Sequence, residues 1–417
     1  MYKFVENIEK DEYIDFYLKN NACFMQSYEW GQFNKISRNQ TPHYVGIIKD
    51  KELVCATLLL EKKGIFNLSY FYSPRGFIID FKDKELVKKF TNHLKEYIKK
   101  HNGIYLKVDP EIEYQEIDEN GIKVENGYNN YDVYKALIAL NFKHTGFIKN
   151  FENNQPRYTF IIDLTKDIEK LENNIHKSVM KKVKKTYEYD MIFRESNDVD
   201  TFYKLLSKTS EKDNFMPYTK EYYKNAYNIL NGTYKLFELV INPKKLYDKT
   251  KLKLDEIIST LESDEVSSKQ MSNLEESRKR LLKELNELEQ YKNTEELVIC
   301  SQMCADTKNT MWTLYIGNDE IGKNLYAVNR MYLEIIKYAK ETNHKYLDLF
   351  GTTGDPSSTH KNLAGIHKFK QNFGGKYIEF IGEFDYVNKK ILYKVLPIFL
   401  KVYRKILKAK RKTTKKD

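Results

Sequence analysis

A chain of 417 residues, 41% of them hydrophobic, is long enough for two or three domains of ~100–200 residues and too apolar to be disordered outside its last few residues. Its formal charge of +11 asks for a polyanionic partner: nucleic acid, a phosphorylated substrate or an anionic membrane. Four cysteines exclude a disulfide framework, and no run approaches the ~20 apolar residues of a membrane span. The opening MYKFVENIEKDEY has no apolar signal core, so the expected location is the cytoplasm, with peripheral contact to the inner membrane face left open. Tyrosine is abundant; it suits half-buried positions and ligand grooves, and it also follows from an AT-rich genome.

In chain order, the first segment alternates strands and helices. Gln26–Lys35 reads as a helix with Trp30 and Phe33 on its apolar side. Tyr44–Lys49 and Leu53–Glu61 form paired strands around a Lys49-Asp50-Lys51 turn. Phe66–Tyr72 is a strand, Lys84–Lys100 an amphipathic helix, and Ile104–Val108 a strand ending at Asp109-Pro110. Glu111–Asn130 is polar and predicts a loop excursion; Asp132–Leu140 predicts a helix.

A second segment starts near Phe151 and repeats the style. Thr159–Leu164 is a strand, and Ile168–Lys185 a strongly basic helix. Helices follow at Asp198–Ser210 and Thr219–Leu230, and strands at Tyr234–Ile241, Leu297–Asp306 and Asn309–Gly317. Cys300 and Cys304 fall in such a strand and read as buried thiols, not zinc ligands. Leu325–Thr342 is a helix, Tyr346–Phe350 a strand, and a polar turn then leads to a short helix closed by Gly374-Gly375. Both segments end in helix, strand and polar turn. Hairpins mixed with helices argue for an α+β, mixed α/β fold with an approximate internal duplication.

Residues 245–293 interrupt the second segment. They are charged and lack glycine. Tyr247, Leu254, Ile258 and Leu261, then Met271, Leu274, Leu281, Leu285 and Leu288, fall at heptad a/d spacing, with a turn near Ser263-Asp264. The pattern predicts an antiparallel two-helix coiled-coil arm. Its charged faces are either solvated or a handle for a polyanion or a protein partner. The tail from Asn388 to Lys416 predicts a basic amphipathic helix, docked on the body or lying on an anionic membrane.

No P-loop, GxGxxG, HExxH or Ser-His-Asp pattern is present, and the scattered histidines predict no metal. Leu363, Ile366, Phe369 and Phe373 form an apolar stripe, and Lys370 borders it. Such a lysine keeps its stem on apolar surface and its ammonium at a cleft edge. That is an ordinary snorkelling lysine, or a cation placed for a developing oxyanion.

Several stretches together resemble the Fem family of non-ribosomal peptidyltransferases. They are Gln26-Ser27-x-Glu29-Trp30-Gly31-x-Phe33-x-Lys35, Leu106–Pro110, Gln155–Thr159 with its basic helix, and the run from Asp348 through the Phe369-Lys370 pair to Tyr386. The arm also stands where many family members carry one. The resemblance covers almost the whole chain. It implies two GNAT-like domains, residues 1–150 completed by a C-terminal helix at 386–417, and residues 151–385 interrupted by the arm. It implies transfer of an amino acid from aminoacyl-tRNA to the side-chain amine of the third stem-peptide residue in a peptidoglycan precursor. The acceptor is lipid II or the nucleotide-linked form, the product is the interpeptide bridge, and no cofactor is called for.

By the same resemblance, Lys35 matches a lysine associated with the precursor's phosphates and Asp109 an aspartate near the acceptor. Tyr315 sits where the family has a tyrosine lining the acceptor groove. Phe369 and Lys370 match the pair near the aminoacyl-tRNA end. Tyr218 stands where the family often has an arginine, with Tyr222 and Tyr223 following, so phosphate binding there passes to Lys220 or is absent. Lys177, Lys181, Lys182, Lys184 and Lys185 offer phosphate contacts for tRNA, or form a solvated helix face.

An aminoacyl ester is already activated, so neither metal nor covalent nucleophile is required. The attacking amine must be neutral, against a solution pKa of ~10.4 for a lysine-type acceptor. Asp109 orients it, although an aspartate of low pKa is a poor general base for it. The ribose hydroxyl relays the proton, and Lys370 faces the oxyanion. Two competitors stand beside this reading. An acyl-CoA N-acyltransferase needs a pyrophosphate loop that Ile316–Leu325 lacks. A non-catalytic tRNA- or membrane-binding protein has no need of Phe369-Lys370.

Overall fold

The computed structural model describes residues 2–64, 68–262, 267–357 and 361–396. Packing divides the chain into two units. The first holds the chain up to Phe160, Gly351–Lys368 and the chain from Lys376 onward; the second holds Ile161–Phe350 and Phe369–Gly375.

The chain begins β1 (Tyr2–Val5), α1 (Lys10–Lys19), α2 (Tyr28–Arg38), β2 (Thr41–Lys49), β3 (Glu52–Lys63) and β4 (Ser69–Ser73). Next come α3 (Lys84–Lys100), β5 (Gly103–Val108), β6 (Glu113–Gln115), α4 (Tyr131–Ala139) and β7 (Phe142–His144). Strand β8 (Tyr158–Asp163) carries the chain into the second unit, which opens with α5 (Ile168–Asn174), α6 (Lys177–Thr186) and β9 (Ile192–Ser196). There follow α7 (Val199–Asp213), α8 (Lys220–Ile229), β10 (Tyr234–Ile241), α9 (Pro243–Leu261), α10 (Ser268–Leu288), β11 (Leu297–Asp306) and β12 (Thr310–Asn318). Last come α11 (Glu320–Asn324), α12 (Ala327–Glu341), β13 (Tyr346–Asp348), α13 (Lys361–Gln371), β14 (Lys376–Phe380) and β15 (Phe384–Val387).

The first unit is built on a seven-stranded sheet in the order β1-β2-β3-β4-β5-β15-β7. Asp50 and Lys51 both have positive φ between β2 and β3, as a two-residue type I′ hairpin turn requires. Helix α3 lays Leu86, Phe90, Leu94, Tyr97 and Ile98 into a core with Val45, Ile47, Leu59, Phe71, Leu106 and Phe384. Its start is set by Asp83, whose carboxylate accepts the Leu86 N–H at 2.9 Å. Strands β4 and β5 are parallel; the other pairs in this sheet are antiparallel.

In the second unit the sheet runs β8-β13-β12-β11-β10-β9. Again one pair is parallel: β12 and β13 match only over Thr310–Trp312 against Tyr346–Asp348. Beyond that point β12 continues to Asn318 while the chain leaves β13 at Leu349-Phe350. The carboxyl ends of these parallel strands therefore part, which is where a sheet of this kind holds its ligands. Helix α7 crosses β12 so closely at Gly317 that a Cβ there would stand 2.3 Å from the Leu206 backbone nitrogen. Gly317→Ala is expected to destabilise the fold by ~1–3 kcal/mol, since backbone and not a rotatable side chain must yield. Thermal unfolding of the variant measures this.

Several sequence expectations change here. The basic helix expected over Ile168–Lys185 is broken into α5 and α6. Ile175 and His176 are extended at the break. The His176 ring accepts the Ser178 N–H at 3.2 Å, and the His176 backbone N–H donates to the Asn372 carbonyl at 2.8 Å, so the break is capped from both sides. The loop excursion at Glu111–Asn130 contains β6, which pairs with β14 far along the chain. Helices α9 and α10 pack together through buried Leu246, Thr250, Leu254, Leu281 and Leu288, and the Thr250 hydroxyl donates to Glu284 at 3.0 Å. Met271, expected on the same seam, is 45% exposed. The turn at Ser263-Asp264 lies outside the described residues, as do residues 397–417 of the expected tail helix. Residues 390–396 are helical, and Ile391 and Val395 on them are exposed.

Candidate functional site

The parted ends of β12 and β13 gather the chemistry of the second unit. Phe350, just past β13, adopts a left-handed backbone with φ of 57°. A bulky residue holds that conformation only where surroundings enforce it. Here the buried Asp348 carboxylate accepts the Phe350 N–H at 2.7 Å. The Phe350 carbonyl in turn accepts a hydrogen bond from the Lys370 ammonium at 2.6 Å. Lys370 is half-buried. Burial draws its pKa down to about 7, against the opposing pull of the Asp348 charge. The ammonium is thus held by the Phe350 carbonyl and close to its titration point near neutral pH.

Phe369, beside it, packs edge-on against Tyr332 at 5.0 Å and against Phe373 at 5.2 Å. The expected stripe is only partly inward. Phe373 is buried, but Ile366 is 41% exposed, and His367 in the first unit is buried instead. His367 packs on Phe160 and Tyr377 at 5.0 and 4.9 Å.

Tyr218, Tyr222 and Tyr315 are brought together. Tyr218 stacks on Tyr222 at 4.1 Å, Tyr222 meets Tyr223 edge-on at 5.4 Å, and Tyr223 meets Tyr315 edge-on at 5.2 Å. Tyr218 is 49% exposed, while Tyr223 is buried. Burial raises the Tyr315 phenol, so it stays a neutral hydroxyl. The result is an aromatic wall with Tyr218 at solvent, Tyr222 and Tyr223 buried and Tyr315 half-buried. Lys220, expected as a substitute phosphate ligand, is paired with Asp200 at 2.5 Å, and Lys224 holds the same carboxylate at 2.9 Å.

Helix α6 is anchored by buried Val179 and Val183 and exposes Lys177, Lys181, Lys182 and Lys184; Lys185 is half-buried. The Lys182 and Lys185 ammoniums lie over the Tyr326 ring at 5.7 and 5.6 Å. Lys185 and Tyr326 also line a cavity of about 200 Å³ with Arg280 and Lys283 of α10.

The first unit holds Lys35 and Asp109. Lys35 is exposed on the last turn of α2, whose start is capped by the Ser27 side chain at 3.0 Å from the Trp30 N–H. Asp109 follows β5 directly, at the carboxyl end of the parallel β4–β5 pair. It is buried, and both oxygens are occupied: Oδ1 accepts the Arg75 N–H at 2.7 Å and Oδ2 the Tyr72 hydroxyl at 2.8 Å. Burial pushes its pKa up to about 6, with Arg75 opposing and Glu383 adding to the rise. The low pKa expected from sequence is therefore absent, because desolvation outweighs the neighbouring guanidinium. Nearby on β5, Lys107 bridges Glu383 at 2.8 Å and Asp385 at 3.0 Å.

Sequence reasoning missed Tyr72, Arg75, Tyr332 and Asp348. Asp348 carried one usable signal, since an acidic residue closing an apolar strand before a glycine turn has to find a partner. Tyr332 carried none beyond its place on an amphipathic helix.

The chain is similar to known proteins along nearly all its length. A family model described as the FemAB family matches residues 8–401. An aminoacyltransferase FemA of Staphylococcus epidermidis is 26% identical over 423 residues, covering 97% of this chain and 99% of the relative. A lipid II:glycine glycyltransferase of Staphylococcus aureus is 26% identical over 433 residues, covering 99% and 98%. The crystal structure of FemX superposes with a TM-score of 0.75 at 24% identity, over 94% of this chain and 99% of that one, and shares the fold. These similarities define an enzyme of the aminoacyltransferase class. The chain belongs to the FemAB family.

Among the described residues no helix is long and apolar enough to cross a membrane.

Proposed function

We propose that this enzyme transfers an amino acid, with glycine the first candidate, from aminoacyl-tRNA to the stem-peptide side-chain amine of lipid II. The observation that carries the reading is the near full-length similarity to a lipid II:glycine glycyltransferase. Lys370 supplies positive charge to the ester carbonyl as its oxygen becomes an oxyanion. Phe369 packs beside the donor end. Tyr218, Tyr222 and Tyr315 line the acceptor groove, Lys35 meets a precursor phosphate, and Asp109 orients the acceptor amine. With both oxygens engaged, Asp109 acts on the amine through the hydroxyl of Tyr72 or by its field, and the ribose hydroxyl beside the ester carries the proton. Lys177, Lys181, Lys182 and Lys185 offer contacts for tRNA phosphates, and beside Lys185 the cavity holds Arg280 and Lys283 with Glu284 and Glu287. In this reading two GNAT-like domains carry the reaction. The α9–α10 pair is their coiled-coil arm, and the basic tail keeps the enzyme at the inner membrane face.

An acyl-CoA donor fits poorly. At the turn where such enzymes bind pyrophosphate, the Asp319 carboxylate already takes the Gly322 N–H at 2.9 Å, and Glu320 adds a second negative charge. The lysines beside them, Lys208, Lys212 and Lys323, are already paired with these carboxylates.

The test incubates the purified enzyme with a pool of charged tRNAs and lipid II and takes the product mass. A gain of one or more amino acid residues, abolished by ribonuclease treatment of the donor, is expected. No gain with any charged tRNA, or a gain with acyl-CoA instead, overturns the reading.

A further inference from the structure

We infer that Asp348 is the positioning residue of the site, fixing both the place and the charge of Lys370. The inference rests on the reading of Lys370 as the charge-stabilising group. Its basis is a relay within the second unit. The Asp348 carboxylate holds the Phe350 N–H at 2.7 Å, Phe350 stays left-handed at φ of 57°, and its carbonyl faces and binds the Lys370 ammonium at 2.6 Å. Without the carboxylate, a phenylalanine leaves that backbone region, and the carbonyl that aims the ammonium turns away.

The second action is electrostatic. Lys370 is a half-buried amine whose dehydration favours the neutral form, and Asp348 is the carboxylate that pulls it back toward the charged form. On α12, Arg330 is bound to Glu334 at 2.5 Å and stacks on Tyr187 at 4.0 Å, and Lys337 is bound to Glu172 at 3.1 Å. Tyr332, which packs on the neighbouring Phe369, stays un-ionised because burial holds its phenol up to about 12. Asp348 itself is buried at the sheet, and from there its charge acts on the ammonium.

The test separates the two actions. Asp348→Asn keeps an oxygen for the Phe350 N–H and removes the charge. It is expected to fold, and to move the alkaline fall in transfer rate to lower pH by about one unit or more, the scale of a nearby buried charge. The same shift is expected in the titration of Lys370 followed by NMR after ¹³C reductive methylation, with the signal assigned by its absence in Lys370→Met. Asp348→Ala removes both actions and is expected to lower kcat further without raising KM for lipid II. An unchanged Lys370 titration in Asp348→Asn overturns the inference, whatever the rate. If that variant does not fold, Asp348→Ala takes its place in the titration, and an unshifted Lys370 there overturns the inference equally. A Lys370→Met enzyme that keeps its full rate removes Lys370 from the reaction and sinks the functional reading of the site, while the NMR arm still decides whether Asp348 sets the charge.

Discussion

Replacing Lys370 with methionine is expected to slow aminoacyl transfer by ~10²–10³-fold, the loss that follows removal of one oxyanion-stabilising group. The variant should remain folded. It deletes one hydrogen bond to the Phe350 carbonyl, worth about 1 kcal/mol, and it also removes an ammonium that burial disfavours. The pH dependence gives a sharper signature. The folded-state pKa of Lys370 lies near 7, below the usual 10.5, so the side chain is charged below that point and neutral above it. A role as a cation therefore places a fall in rate on the alkaline side of about pH 7, on top of the rise that deprotonation of the acceptor amine produces. Lys370→Arg, whose charge persists through this range, should lose that alkaline limb even if its bulk lowers the maximum. Stability runs the other way. Between about pH 7 and 10.5 the unfolded chain binds the proton that the folded chain has lost, so this group's contribution makes the fold more stable as pH rises. Rate profiles and denaturation curves across pH 6 to 10 measure both. A methionine variant with undiminished rate, or an arginine variant with the limb intact, excludes the cationic role.

The second large effect is on stability. Arg157→Ala is expected to cost ~3–5 kcal/mol and to lower the unfolding temperature of the first unit by roughly 10 °C. Arg157 is buried, and its guanidinium donates to the Glu379 carboxylate at 2.5 Å and to the Tyr158 hydroxyl at 2.7 Å. The same cation lies over the Phe147 ring at 4.6 Å. The other Glu379 oxygen is held by Gln115 at 2.8 Å. Removing the arginine leaves a buried carboxylate with no compensating charge, the costly half of breaking a buried pair. The double variant Arg157→Met with Glu379→Gln removes both charges and should recover a good part of the loss. Calorimetry distinguishes these outcomes; a single variant as stable as the parent would show that the carboxylate is satisfied by other means.

The local patterns were legible. Lys84–Lys100 and Tyr234–Ile241 are observed at the bounds their periodicity predicts, because a helix or strand that buries one face writes its period into the residues. The hairpin around Asp50-Lys51 was visible for the same reason. The Phe369-Lys370 pair was found by resemblance; spacing alone left Lys370 an ordinary surface-bordering lysine.

What stayed hidden depends on partners far away in the chain. Strand β15 inserts between β5 and β7, and β6 finds β14, although neither short strand carries a periodic signal long enough to read. His176 breaks the basic helix because the carbonyl of Asn372 is there to receive its N–H, a contact no local propensity contains. The charge state of the site is of the same kind. By itself the sequence determined that Asp109 and Asp348 stand at the ends of strands and that Lys370 stands on a short helix, since residue identity sets which groups can ionise. Only the tertiary structure decided that Lys370 titrates near pH 7 and Asp109 near 6, because the burial that moves a pKa belongs to the surrounding elements and not to the residue.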